Sequence, residues 1–228
     1  KYHLDQPMVV QYMRWLADAA IGDFGTSVQT RQTVVTAGLD RAPLSLWLTF
    51  YATVIVLGVG VPLGLATALR QGSRVDRSVV TLSVFGVSTP AFVSGLFLLY
   101  YLGFVAGIFP VFGAGRDGGF FVKAWHLTLP ALALALAVMA IVVKITRASV
   151  IEEMEKDYVT FARARGVSER RIVLSYLLRN ALVPVVTAAS VIVVATMAGA
   201  IYVEITFALP GLGSLLVDAV RQRDIPLI

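Results

Sequence analysis

The amino-acid sequence predicts an all-α protein that crosses a membrane several times. Of its 228 residues, 57% are hydrophobic and 14% are charged, whereas a soluble domain carries about 25% charged residues. The mean hydropathy is +0.80. Four stretches without a charged residue are each long enough for the ~20 residues that a helix needs to cross the hydrocarbon core. We therefore predict a polytopic helical bundle with four spans, near residues 45–69, 79–105, 126–146 and 182–205.

The placement of charge predicts which ends of these spans face the cytoplasm. The loop at 70–77 holds three arginines in eight residues, and the block at 144–179 holds eight lysines and arginines. The connection at 116–123 holds only two. Since positive residues concentrate in cytoplasmic loops, we predict that the first loop and the large block are cytoplasmic. Both ends of the sequence then lie on the outer side.

These predictions divide the chain into three regions. Residues 1–44 form an extracytoplasmic N-terminal segment, 45–206 a transmembrane domain with a cytoplasmic loop at 150–181, and 207–228 an extracytoplasmic segment. A polar outer segment needs a preceding span or signal to reach that side. We therefore expect a fragment that lacks a first and a last span. The sequence contains no cysteine, which excludes disulfides, thiol catalysis and cysteine metal sites.

Two short segments are predicted to lie at the outer membrane surface. Residues 7–20 mix apolar and polar side chains, with Tyr12 and Trp15 suited to the headgroup level. Residues 206–218 contain a Pro-Gly-Leu-Gly turn followed by an apolar stretch. Because that stretch is too short to cross a membrane, we predict a re-entrant or interfacial helix there.

Some residues inside the spans suggest a pathway. Pro62 and Pro90 fall within predicted spans, where proline kinks a helix or frees a carbonyl. Ser88 and Thr89 add small hydroxylated side chains just before Pro90. Loosened backbone is tolerated in a membrane where it faces protein or a water-filled path, so 88–90 is either a pathway lining or a packing kink. Glu204, at the end of the fourth span, is either a further pathway residue or a solvated acid at the interface.

The stretch 152–184 is the most strongly charged block in the second half of the chain. Residues 151–162 repeat apolar side chains at helical spacing beside a charged face. Gly166 stands where a left-handed helix cap is usual, after cations that suit the last turn. Ser168 is placed to cap a second helix whose apolar face continues to Leu177. We predict two short helices joined at an arginine-rich elbow.

No motif in the sequence indicates an enzyme. It contains no P-loop, no H-E-x-x-H, no G-x-S-x-G and no pair of carboxylates within one span. His3 and His126 are too far apart for metal-ligand spacing. We therefore predict no catalytic residue, and no cofactor or metal bound by this chain.

The charged block resembles a known motif. D-Y-V-x-x-A-R-A-x-G-V-S-x-R-R at 157–171, followed by L-R-N-A-L-V-P at 178–184, is similar to the EAA loop of ABC importer permeases of the dipeptide, oligopeptide and nickel branch. Thr160 and Phe161 depart from the general EAA pattern in the way that the peptide branch does. Further segments that resemble this branch cover nearly the whole chain: Leu4-Asp5-Gln6-Pro7, Gln11-Tyr12 with Trp15, Gly22-Asp23-Phe24-Gly25, Pro62-Leu63-Gly64, Thr146-Arg147-Ala148-Ser149 and Phe207-Ala208-Leu209-Pro210-Gly211-Leu212-Gly213.

The resemblance implies a MetI-like helical bundle whose charged loop forms a coupling helix. In such importers this helix docks in a cleft of a separate ATPase subunit. An amphipathic helix suits a groove, and arginines pair well with acids on a partner. The implied ATPase-coupling residues are Tyr158, Ala162, Arg163, Ala164, Arg165, Gly166, Ser168, Arg170 and Arg171.

The resemblance also implies the partners. We expect a homologous second permease subunit that forms a heterodimer with this chain, two cytoplasmic ABC ATPase subunits that bind ATP and Mg²⁺, an extracytoplasmic substrate-binding protein and the lipid membrane, but no nucleic acid. The expected location is the bacterial or archaeal cytoplasmic membrane. Di- or oligopeptides are the favoured substrates, while nickel chelates, glutathione and sugars stay open.

Three other functions agree with parts of the sequence. A secondary transporter or channel fits the spans, although such carriers usually hold more intramembrane charges. Residues 162–168 imitate the turn of a DNA-binding helix-turn-helix, but the membrane ends at Thr146 and Pro184 leave too little chain to reach a major groove. The arginines also suit a loop that only binds lipid headgroups.

Overall fold

The computed structural model describes residues 7–115 and 118–228, so the predictions at His3, at Leu4-Asp5-Gln6 and at Arg116 lie outside the described residues. Helices dominate this part of the chain, as predicted. A π-helical turn, Leu99–Val105, extends α4, a second one, Ile172–Leu177, joins α7 to α8, and a 3₁₀ turn covers Ile225–Leu227. The α-helices are α1 Met8–Ala20, α2 Val34–Leu69, α3 Arg74–Ser88, α4 Ala91–Leu98, α5 Phe120–Met154, α6 Asp157–Ala164, α7 Glu169–Arg171, α8 Leu178–Thr206 and α9 Leu212–Gln222.

Three helical stretches are long and apolar enough to cross a membrane: α2, α5 and the continuous stretch Glu169–Thr206. They confirm the first, third and fourth predicted spans, although each helix extends beyond the predicted bounds. α2 begins at Val34 rather than near residue 45, because Thr33 Oγ1 caps it by accepting from Thr36 N at 3.2 Å. Its 36 residues reach about 54 Å. The helix thus includes Asp40 and Arg41, the charged residues that lie before the apolar run used to predict the span.

The second predicted span is a bent pair of helices, which agrees with the kink predicted at Pro90. Its two parts, Arg74–Gly86 and Ala91–Val105, meet at 106°. Pro90 is the residue directly before α4 rather than an internal residue. A proline is inexpensive at a helix start, since the first N–H groups have no partner within the helix. By contrast, α2 includes Pro62, and also Pro43, without a break.

The helix α5 lies at the centre of the bundle. In its most apolar window 61% of the residues are buried, against 33% in α2 and 22% in the Glu169–Thr206 stretch. The two helices α2 and α5 cross closely at Gly60 and Gly64. A Cβ atom at Gly64 would stand 2.6 Å from Thr146 Cβ and 2.8 Å from the Val143 carbonyl oxygen. This is the close backbone approach that a G-x-x-x-G spacing permits between membrane helices.

Both segments that were predicted to lie at the outer membrane surface contain a helix. α1 covers most of the 7–20 segment and buries none of its residues. α9 has 11 residues, which is too short to span. It begins directly after the Pro210-Gly211 turn and packs against α8 and α2. Phe207 and Leu209, from the turn before α9, are buried in the core with Leu48 and Leu129.

Candidate functional site

The charged loop has a sharp elbow at Gly166. α5 ends at Met154, and α6 begins two residues later at Asp157. Gly166 then takes φ +74°, and its N–H donates to the Arg163 carbonyl at 2.9 Å. This confirms the predicted left-handed cap, a conformation that residues with a Cβ atom rarely adopt.

The second half of the loop differs from the prediction in two respects. Ser168 holds the N-cap position of α7, but its side chain makes no capping hydrogen bond, so that predicted contact is wrong. The helix that starts there is also not short, since it runs on to Thr206 as one continuous stretch. The apolar residues of 172–177 lead directly into the span, which gives the helix no reason to stop. The loop is therefore one short helix placed between two long ones.

Two of the nine predicted coupling residues face the subunit itself. Ala162 is buried with Val159, Ile172 and Leu177 in a small core beneath the elbow, as the predicted apolar face requires. Tyr158 packs against this core, and its ring stacks on Tyr176 with centroids 6.4 Å apart. These side chains anchor α6 to the start of the last span.

Tyr158 also links α6 to both neighbouring helices by hydrogen bonds. Its hydroxyl donates to the Glu153 carboxylate near the end of α5 and accepts from Asn180 Nδ2 of α8 at 3.0 Å. Burial, together with the bond to Glu153, raises the pKa of the Tyr158 hydroxyl. The proton therefore stays on the oxygen at neutral pH, as donation to Glu153 requires.

The other seven predicted residues form an exposed face, which we call the elbow face: Arg163, Ala164, Arg165, Gly166, Ser168, Arg170 and Arg171. Arg163 crosses the elbow and donates to Glu169 at 2.9 and 3.4 Å. In the part of the chain that the structure describes, Arg165, Arg170 and Arg171 form no ion pair. Phe161, beside them, is 68% exposed. Unpaired cations around an exposed aromatic ring are features of a protein-binding surface.

The structure places Ser88, Thr89 and Pro90 at the 106° bend between α3 and α4. Ser88 and Pro90 are exposed and Thr89 is partly exposed. The two hydroxyls donate back to the carbonyls of Val84 and Phe85, at 2.9 and 2.8 Å. These bonds give partners to carbonyl groups in the last turn of α3, so the helix can end at an exposed position.

Glu204 does not join this bend. Its residue is 1% exposed, so the predicted solvated acid is wrong. Oε1 accepts from Ser45 Oγ at 2.5 Å, and Oε2 accepts from the Ser214 N–H at 3.0 Å. Ser45 Oγ in turn accepts from the Leu212 N–H at 2.8 Å. The carboxylate faces its own chain and fixes the start of α9 to α2 and α8.

Two polar contacts between distant parts of the chain were missed by sequence reasoning. Arg147 of α5 forms a two-bond ion pair with Asp76 of α3. Ser27 Oγ donates to Asp224 Oδ2 at 2.5 Å and ties the N-terminal segment to the residues after α9. Asp76 is the one acid in the arginine-rich 70–77 loop, and this isolated acid could have indicated an ion pair from the sequence. Its partner, 71 positions away, was not identifiable from spacing.

No donor set in the described ranges 7–115 and 118–228 gathers three His, Asp or Glu side chains as a metal site would. The described residues instead form the exposed, arginine-rich elbow face and the exposed bend between α3 and α4. Both features can be compared with known proteins.

The sequence matches a family described as "Binding-protein-dependent transport system inner membrane component" over residues 60–228. Among relatives, the oligopeptide transport system permease protein AppB of Bacillus subtilis is 37% identical over 100% of this chain and 73% of its own. The dipeptide transport system permease protein DppB of Lactococcus lactis is 35% identical, with the same coverage. The glutathione transport system permease protein GsiC of Shigella flexneri is 39% identical over 99% of this chain and 71% of its own.

A solved structure shares the fold. The MetNI methionine ABC transporter in inward facing conformations superposes with a TM-score of 0.64 over 80% of each chain. At 17% identity this likeness concerns the fold alone. It confirms the predicted MetI-like bundle. Together with the match over 60–228 and with relatives that align along the whole sequence, it shows that the chain belongs to the inner membrane permease components of binding-protein-dependent ABC importers.

Proposed function

We propose that this chain is the membrane-spanning subunit of an ATP-driven importer of di- or oligopeptides, and that it couples to a separate ATPase through the elbow face. The single observation that supports coupling is that the nine predicted residues divide into two groups, of which one packs against this subunit and the other is exposed. Tyr158 and Ala162 hold α6 on the subunit, while Arg165, Arg170 and Arg171 stay exposed and form no ion pair among the described residues. Because one face of α6 is packed on this subunit and the other is exposed, a partner that binds the exposed face can move the helices to which α6 is attached.

The partner is an ABC ATPase that supplies both ATP and Mg²⁺. The three unpaired arginines favour a partner surface with acidic side chains, since guanidinium groups bind carboxylates with two parallel bonds. Phe161 adds a ring of the kind that anchors protein interfaces. Two such ATPases would serve this chain and a homologous second permease subunit.

The membrane path is the space that this chain shares with the second subunit. The Glu169–Thr206 stretch supports a shared path, because 22% of its most apolar window is buried within this chain. The remainder leaves surface for a homologous subunit or for lipid. Ser88, Thr89 and Pro90 supply the bend where the path can open or close, because a broken helix in a membrane is tolerated beside protein or water.

The names of the relatives support peptides as the substrate class. Two relatives are called oligopeptide and dipeptide permeases, and glutathione, the substrate in the third name, is itself a tripeptide. An outer binding protein delivers the ligand, and the complex lies in a bacterial or archaeal cytoplasmic membrane. The positive 70–77 and 144–179 segments face the cytoplasm in this arrangement.

The test is to purify the complete complex from its source and rebuild it in liposomes. We expect an ABC ATPase, a second permease and a binding protein to copurify. Uptake of labelled di- or tripeptides should require both ATP and the loaded binding protein. Uptake that continues without any ATPase and follows an ion gradient would instead indicate a secondary transporter, and sequence-specific DNA binding would indicate a regulator.

A further inference from the structure

The ion pair between Asp76 and Arg147 joins two helices by a planar, two-bond contact. Arg147 Nε donates to Asp76 Oδ1 at 2.7 Å, and Nη2 donates to Oδ2 at 2.9 Å. The side chain of Asp76 is 6% exposed and that of Arg147 is 26% exposed. Paired bonds of this geometry are stronger and more directional than single contacts between surface charges.

Asp76 is itself held in place by the turn in front of α3. Its carboxylate accepts from the Gly72 N–H at 2.9 Å, and its own N–H donates to Ser73 Oγ at 3.2 Å. The carboxylate therefore sits at a fixed position in the first turn of α3. A force on Arg147 acts on the whole start of that helix.

The two partners lead to different parts of the proposed machinery. Arg147 lies on α5 about two turns before Met154, where the charged loop begins. Across the break after Met154, Tyr158 of α6 donates to Glu153 of α5 and fastens the two helices together. Asp76 begins α3, which ends at Ser88, at the bend with α4. The ion pair thus joins α5, which leads into the loop with the elbow face, to α3, which ends at the bend.

The remaining contacts of α5 and α3 make this link important. Thr146, next to Arg147, packs directly under Gly64, which holds α2 and α5 close together at this level. Towards its other end α3 also packs on α5, where a Cβ atom at Gly86 would stand 3.2 Å from the Leu136 carbonyl oxygen, while Leu82 and Phe85 face outward and are 68% and 66% exposed. The ion pair is the strong tie at the loop end of α3.

We propose that Asp76 and Arg147 are positioning residues that transmit movement of the charged loop to the bend at Ser88, Thr89 and Pro90. This inference rests on the proposed function, because it needs an ATPase that moves the loop. With the pair intact, α3 follows α5 and the bend opens or closes with each ATP cycle. Without it, α3 lags behind and ATP is hydrolysed without transport.

The experiment uses the complete complex in liposomes and measures peptide taken up per ATP hydrolysed. Asp76→Asn keeps the side-chain volume, Arg147→Gln shortens the side chain, and both remove the charge. We expect each to lower the ratio about tenfold, within the range usual for coupling between distant sites. The double variant should be no worse than either single one, because both break the same contact. Arg147→Lys, which keeps the charge but loses the two-bond geometry, should give an intermediate ratio.

Arg74→Gln is the matched control. Arg74 is exposed and lies in the same turn of α3, so its substitution removes a nearby positive charge without touching α5. It should leave the ratio within about twofold of the wild type, as expected of a surface change. A plain loss of folding would lower both uptake and ATP hydrolysis together, whereas loss of positioning lowers uptake alone.

Three results overturn the inference: single variants within twofold of the wild type, a double variant whose loss is the product of the single losses, or a control that loses as much as they do. If the neutral variants fail to assemble, Arg147→Lys decides. A lowered ratio supports the inference and an unchanged one overturns it. A wild-type complex without ATP-driven uptake would refute the proposed function itself, which is a separate outcome.

Discussion

Two segments of this protein follow directly after a long helix, and they treat their charges in opposite ways. The loop at 155–171 follows α5 and leaves three arginines exposed without an ion pair among the described residues. The segment at 207–228 follows α8 and is fastened by two buried carboxylates. Glu204 binds the start of α9, and Asp224 accepts from the Ser27 hydroxyl and from the backbone N–H groups of residues 28 and 29.

This difference separates the surface that we propose for the ATPase from an internal clasp, by which we mean the hydrogen bonds of Glu204 and Asp224 to the rest of the chain. Buried acids are costly unless every oxygen finds a donor, and both Glu204 and Asp224 find theirs on distant segments of the same chain. The exposed arginines of the elbow face need no such partner within the chain, because water solvates them. Substitutions should therefore harm folding in one segment and coupling in the other.

The largest expected effect on stability comes from Glu204→Ala. It removes the acceptor of Ser45 Oγ and of the Ser214 N–H in a buried position, which should cost about 3 kcal/mol. The midpoint of thermal unfolding of the purified permease in detergent measures this. Glu204→Gln keeps an acceptor and the volume, so it should lose less. Equal midpoints for Glu204→Ala and the wild type would mean that no clasp exists.

A smaller loss is expected from Gly213→Ala. The added Cβ would meet Ile201 Cα at 2.5 Å, and backbone cannot move aside as a side chain does. Overpacking of this kind should cost about 2 kcal/mol. Gly199→Ala on α8 is the control, since its Cβ would meet Leu134 Cδ2 at an ordinary 3.5 Å. If the two alanine variants unfold alike, α9 is not packed tightly on α8.

The Asp224 clasp should depend on pH only under acid conditions. Burial favours the neutral acid, but bonds from Ser27, Val28 and Gln29 outweigh it and hold the pKa of Asp224 below its usual value. A lowered pKa means that the carboxylate stabilises the fold above about pH 4 and loses that effect as the pH falls further. Asp224→Asn should unfold earlier than the wild type at pH 7, by less than Glu204→Ala.

Comparison of the two proteins from pH 7 to pH 3 tests the sign. The gap between the wild type and Asp224→Asn should stay constant down to about pH 5 and then close. A gap that widens in acid would contradict the assignment of a charged carboxylate to this clasp.

The smallest effect on stability is expected in the elbow face. Arg165→Glu and Arg170→Glu should change the free energy of unfolding by less than about 0.5 kcal/mol, because both side chains are exposed. The same variants should copurify with far less ATPase, since they bring acid against acid. Arg221→Glu on α9 is the control for a change of charge elsewhere. If these variants retain the ATPase fully, the elbow face is not part of the interface with it.

The sequence predicted those features that depend on local chemistry. Apolar runs located α2, α5 and α8, and Gly166 was identified as a left-handed cap because its position after the arginines suits one. Hydropathy failed at the start of α2, where Thr33 begins a helix that passes through charged residues. Hydropathy alone also did not show the bend before Pro90, because an apolar run has the same hydropathy in a straight helix and in a bent one, whereas the proline itself predicted a kink there.

The contacts that fix the site were beyond sequence reasoning. Ser45 and Glu204 are 159 positions apart, and Ser27 and Asp224 are 197 apart. A single sequence shows that a carboxylate is present, but not which distant hydroxyl will face it after folding. Glu204 was therefore considered for the pathway or the interface, whereas the fold uses it as a buried support.

The most direct test of the central claim compares Gly166→Val with Gly107→Val. Both glycines have positive φ, +74° and +62°, with no atom within 4 Å of an added Cβ, so the two substitutions strain the backbone alike. In liposomes that contain the complete complex, we predict that Gly166→Val inserts normally but loses ATP-driven peptide uptake. Gly107→Val should keep it. Normal coupled uptake by Gly166→Val would contradict the claim that this elbow joins the ATPase to the membrane path.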